Sequence, residues 1–92
     1  MEIGFKKEIE NMKKLLVYME NEEFVIERVN EFNHATKRFF ISENGLFEGL
    51  EAYKPVMSEY DIQVSDELWA KVLNFLNRGS NRKMRIYNVK QI

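Results

Sequence analysis

The sequence holds no cysteine, a single histidine, a single proline, and no apolar run longer than the pentapeptide Leu15–Met19. Without cysteine the chain has neither a disulfide framework nor a thiolate metal site. With His34 alone, any His-dependent metal or acid–base centre would have to be built around one ring, and "FNHATKR" reads as a turn or loop that leaves that ring in solvent. Leu15–Met19 falls far short of the roughly 20 residues that span a bilayer. The opening "MEIGFKKEIE" mixes charges of both signs and lacks the apolar stretch of a secretory signal. These absences lead to the expectation of a cytoplasmic protein with no membrane partner.

Catalytic signatures are missing as well. No G-x-S-x-G, P-loop, G-x-G-x-x-G or H-E-x-x-H occurs. "ENGLFEG" has two glycines but neither a third nor a following Lys-Ser/Thr, so it reads as turn and helix instead of a phosphate loop. Asp61, Asp66 and Glu67 lack the spacing and the glycine of an EF-hand. The sequence therefore points to no catalytic residue, no cofactor and no metal, and to a protein that is not an enzyme.

What is present suits a folded domain. Of the 92 residues, 45% are hydrophobic and 32% charged, which separates the chain from disordered sequences and makes 1–92 one domain. A domain of this size without staples relies on packing alone, which points to modest stability or to a homodimer.

Phe5, Ile9, Met12, Leu16 and Met19 recur at helical spacing and predict an amphipathic helix from about Ile3 to Glu20. "EFVIERV" (23–29) and "KRFFIS" (37–42) are rich in β-branched and aromatic residues and predict a hairpin, its second strand ending at the Asn44-Gly45 turn signal. The rival is a helix, because Val25, Val29, Phe32, Thr36 and Phe39 also fit a helical stripe; Glu23, Glu27 and Glu31 would then stack unfavourably at i,i+4. "ENGLFEGLEAYK" predicts a short helix stopped by Pro55, and residues 58–61 a link with a further helical turn. Ser65 as N-cap, Asp66 and Glu67 in the first turn, and Gly79 past the end frame a helix over 66–78, with Leu68, Val72, Phe75 and Leu76 on its apolar stripe. Trp69, Met12, Met19 and Met57 read as core. Met84 and Ile86 alternate with Arg85 and Tyr87, which predicts a closing strand. The fold class expected is α+β: an N-terminal amphipathic helix, a β-hairpin, one or two further helices and a C-terminal strand. The alternative is a mainly α, four-helix arrangement.

The charges are divided unevenly along the chain. Residues 1–67 hold all 15 acids and eight of the 14 basic residues, a balance of −7; residues 68–92 hold six basic residues and no acid, +6, for the overall −1. Glu20, Glu22, Glu23, Glu27 and Glu31 fall within twelve residues and form a candidate acidic docking face for a partner protein. Arg78, Arg82, Lys83, Arg85, Tyr87 and Lys90 form a candidate basic face for an acidic protein or for nucleic-acid phosphates, Tyr87 being suited to stack on a base. A pI near 5.9 and the acids at the start of helix 66–78 weigh against nucleic acid. The ordinary reading of either charge run is a solvated face. Size and composition are those of small bacterial or phage accessory proteins such as immunity proteins, antitoxins and inhibitors of defence enzymes, an analogy and no more. The leading expectation is a non-catalytic protein-binding module, an inhibitor or regulator; a nucleic-acid-binding regulator is the alternative.

Overall fold

The computed structural model describes residues 13–77 and 84–90. They form an α+β domain built on one five-stranded mixed sheet. The strands are β1 (Lys13–Glu20), β2 (Glu23–Val29), β3 (Ala35–Phe40), β4 (Tyr60–Ser65) and β5 (Arg85–Val89), in the order β3-β2-β1-β4-β5. Antiparallel pairing joins β1 to β2 and β2 to β3; β4 runs parallel to both β1 and β5. Helix α1 (Glu43–Glu51) follows β3, and helix α2 (Trp69–Asn77) links β4 to β5. Short 3-10 segments, Lys54–Glu59 and Asp66–Leu68, flank β4.

The first expectation to fall is the helix over 3–20. Its portion before Lys13 lies outside the described residues, and Lys13–Glu20 is a strand. The helical stripe took up Leu16 and Met19 but left Leu15, Val17 and Tyr18 unexplained. Flanked by β2 and β4, this strand buries apolar side chains on both of its faces, so its apolar residues run on instead of alternating. Leu15 and Val17 are indeed fully buried on one face and Tyr18 is buried on the other.

The hairpin prevails over the helical alternative: β2 covers Glu23–Val29 as expected and pairs with β3 from Phe24↔Phe40 to Val29↔Ala35. The Asn44-Gly45 pair is not a turn. Ser42 is the N-cap of α1, its Oγ accepting the Gly45 N–H at 3.0 Å, so these residues form the first helical turn. Strand β4 was not foreseen, although Tyr60, Ile62 and Val64 alternate with Asp61 and Gln63. Ser65 does occupy the N-cap position before Asp66, but its hydroxyl makes no capping bond. It is 7% exposed and unpartnered. Gly79, expected to end the last helix, lies outside the described residues. The closing strand is present as β5, with Met84 and Ile86 against the core.

Both helices pack on the same sheet face. Leu46 and Leu50 of α1, and Val72 and Leu76 of α2, join Leu15, Val17, Ile26, Ile62 and Val64 in one aliphatic core, closed by Met57, Tyr60 and Leu68. Trp69, Met19 and Phe75 pack around it, so the tryptophan is a core residue. Phe75 stacks on Phe47 at 4.9 Å between centroids and 12° between planes, tying the helices together. Gly49 sets the approach of α1 to the sheet: a Cβ there would stand 2.7 Å from Phe40 Cζ and 3.1 Å from Ile26 Cδ1. Among the described residues no helix is long and apolar enough to cross a membrane.

Candidate functional site

Strand register decides which charged side chains share a surface. Glu20 and Glu23 face each other across β1 and β2, joined by a two-residue turn, Asn21-Glu22. Both turn residues have positive φ, 51° and 67°, the arrangement of a type I′ hairpin turn. Asparagine tolerates this conformation. A glutamate does not, because its Cβ crowds the backbone, and holding Glu22 there costs about 1 kcal/mol. Like charges at directly opposed strand positions add a further penalty at Glu20 and Glu23. Lys37 relieves part of it: its Nζ lies 3.0 Å from Glu20 Oε1.

The lysine sits on β3, two strands from Glu20, so its stem crosses β2 on the face away from the helices. On the way its ammonium passes 6.0 Å from the centroid of the Tyr18 ring. Tyr18 donates its hydroxyl to Glu27 Oε1 at 2.6 Å. Burial, and then this bond to a carboxylate, raise the phenol's pKa; Glu20 and then Tyr18 raise that of Lys37. Val25, paired with Tyr18 on one side and Phe39 on the other, is fully buried beneath this network.

The acidic cluster of the sequence is thereby divided. Glu27 is bound by Tyr18 and Glu20 by Lys37. Glu31 lies in the β2–β3 loop at the opposite end of the strands, 3.9 Å from Lys13. Of these five, Glu22 and Glu23 have no ion pair or side-chain hydrogen bond among the described residues. Two acids distant in sequence join them. Since β1 and β4 are parallel, Asp66 and Glu67 follow β4 at the same end of the sheet as the Asn21-Glu22 turn, and both are exposed, with no ion-pair partner among the described residues. Sequence proximity missed this group; only the parallel β1–β4 pairing could have revealed it. The acids do not approach a metal site: among the described residues no cluster of three or more potential ligands occurs, and Asp61 stands at the other end of β4 from Asp66.

Among the described residues, two cations of 68–92, Arg85 and Lys71, pair with acids of 1–67. Parallel pairing sets Arg85 opposite Asp61, and its Nε donates to Asp61 Oδ1 at 2.6 Å. Lys71 meets Glu43 at 2.7 Å. Exposed pairs of this kind contribute roughly 0–1 kcal/mol each, but they neutralise the cations as phosphate ligands. Of the basic candidates, Arg78, Arg82 and Lys83 lie outside the described residues. Arg85 is committed to Asp61. Tyr87 is half exposed on the helix-free face, and Lys90 is exposed just past β5. His34 is in a loop as expected, its backbone N–H donating to Asn30 Oδ1.

The chain matches no protein-family model, no curated protein and no solved structure.

Proposed function

We propose that the protein is a non-catalytic protein-binding module, an inhibitor or regulator, that docks on a basic surface of a partner through the acidic end of its sheet. The observation that carries this reading is Glu22. A glutamate stands at φ 67° in a turn where glycine would relieve the backbone, beside the opposed pair Glu20 and Glu23. Local stability is given up to hold carboxylates on a hairpin tip, and that is the exchange a binding surface makes. Asp66 and Glu67 widen the same end of the molecule, so the field seen by an approaching partner is negative over several side chains. Such a surface steers association and selects partners by charge more than it adds raw affinity.

The nucleic-acid alternative has weaker support, because Arg85 is held by Asp61 and the remaining free charge at the acidic end repels phosphate.

The test uses a lysine-rich peptide as a stand-in for a basic surface and labelled duplex DNA as the rival ligand. The peptide should bind the protein at low salt and dissociate as salt rises, while the DNA does not bind. Glu22→Lys with Glu23→Lys should abolish peptide binding and leave the unfolding transition cooperative. Equal peptide binding by wild type and the double variant sinks the reading. Glu27 is the wrong position for this test, since its carboxylate accepts from Tyr18 and its loss disturbs the fold.

A further inference from the structure

The outer edge of β3 is an unfinished sheet. Ala35–Phe39 are all exposed, β3 has β2 as its only neighbour among the described residues, and Phe39 and Ile41 are 47% and 86% exposed. Exposed edge strands are commonly protected by charged side chains that repel an incoming strand. Here Lys37 and Arg38 occupy that position, but both are engaged within the chain. Lys37 reaches inward to Glu20, and the Arg38 guanidinium lies 5.3 Å from the centroid of the Phe40 ring.

The backbone pattern shows which groups are open. The Asn30 N–H donates to the His34 carbonyl at 3.0 Å, so Asn30 and His34 form a hydrogen-bonded pair. Such pairs alternate along an antiparallel ladder. The register then makes Thr36, Arg38 and Phe40 the residues bonded to β2. The N–H and C=O groups of Ala35, Lys37 and Phe39 point outward.

We infer that a second copy of this chain completes the sheet, β3 pairing antiparallel with β3 about a two-fold axis at Phe39. Charge disfavours the two neighbouring registers, and the exposed aromatic at 39 favours this one. A two-fold at Lys37 sets ammonium opposite ammonium, and one at Arg38 sets guanidinium opposite guanidinium, both unfavourable. A two-fold at Phe39 sets the two Phe39 rings side by side. Lys37 then lies opposite the second copy's Ile41, and Arg38 opposite its Phe40, where cation and ring attract. The two Ile41 side chains, otherwise almost wholly in water, flank the seam. The paired segment is short, so the contact falls at the small end of protein interfaces and the association is weak, with a dissociation constant on the order of 100 μM. The Asn21-Glu22 turn is not part of this contact, so Glu22 variants associate as wild type does.

Sedimentation from about 10 μM to about 1 mM, a range that brackets weak association, reads the outcome. The mass should rise from that of one 11.1 kDa chain towards twice that value. Phe39→Lys should stay monomeric, because two ammoniums meet at the axis. Mixing Phe39→Lys with Phe39→Glu in equal amounts should restore association as a mixed dimer. Hydrogen exchange on the wild type gives a second reading that needs no variant: with rising concentration the Lys37 and Phe39 amides gain protection and the Arg38 and Phe40 amides do not. A wild type of constant mass over this range overturns the inference. So does a Phe39→Lys variant that associates unchanged, or a charge-swapped mixture that stays monomeric.

Discussion

The two faces of the sheet solve different problems with similar residues. The helix-covered face is aliphatic and closed: Leu15, Val17, Ile62 and Val64 meet α1 and α2 with essentially no accessible surface. The opposite face buries Val25 and Tyr18 without a described helix, under a polar network that runs Glu27–Tyr18 and Lys37–Glu20 across three strands. The first face is held by area removed from water. The second is held by hydrogen bonds and paired charges around a small apolar patch, and it leaves Phe39 and Tyr87 in solvent. One face is therefore held by burial alone, and the other by polar pairs around a smaller apolar patch, beside the acidic turn and the exposed edge strand.

Substitutions should separate the faces by size of effect. Leu15→Ala, in the closed core, should lower the unfolding free energy by about 2–5 kcal/mol in urea denaturation. Phe39→Ala, half exposed on the other face, should change it by less than about 0.5 kcal/mol. A similar loss at both positions would erase the distinction. Gly49→Ala is the next largest. The methyl group gains helix propensity of up to about 1 kcal/mol but forces the Phe40 ring and Ile26 aside, and overpacking costs about 1–3 kcal/mol. The net change should be destabilising, and a stabilised variant would show that α1 can slide away from β3.

Tyr18→Phe tests the polar face. Losing the bond to Glu27 should cost about 1 kcal/mol, and the variant should also change the response to alkali. Burial and Glu27 raise the Tyr18 pKa, and Glu20 with Tyr18 raises that of Lys37. A raised folded-state value contributes stability below the ordinary one and loses it as pH climbs through the folded value. The wild-type thermal midpoint should therefore fall as pH passes about 10, and the fall should be shallower in Tyr18→Phe. An identical slope in both proteins would mean that the phenol is not coupled to folding.

Much of the fold was legible locally. The strands at 23–29 and 85–89 and the apolar stripe of α2 follow from spacing, and each depends on near neighbours in sequence. The failures have a common cause in the parallel pairing of β1 with β4. A central strand flanked on both sides reads as an unbroken apolar run, and Leu15–Met19 fits a helix as well as a strand until its neighbours are known. The same pairing puts Asp66 and Glu67 at the end of the sheet that carries the Asn21-Glu22 turn, and β5 beside β4 sets Arg85 within reach of Asp61. A reading of charge by sequence window found the acids but grouped with them Glu31, which the register sets at the opposite end of the strands, and Glu27, which shares the face of Glu23 but is bonded by Tyr18. Conversely, the positive φ of Glu22 has no sequence signal beyond an asparagine before a glutamate.

The most direct measurement is the urea unfolding of Glu22→Gly against wild type. Asn21 followed by glycine is the preferred type I′ turn, so relief of the left-handed glutamate and removal of one unpaired carboxylate should raise stability by about 0.5–1 kcal/mol. Tighter folding together with weaker binding of the basic peptide would show that the glutamate is kept for contact at the expense of the fold. An unchanged or lower stability would contradict this, because Glu22 would then cost the hairpin nothing and the acidic turn would be no more than a solvated end of the sheet.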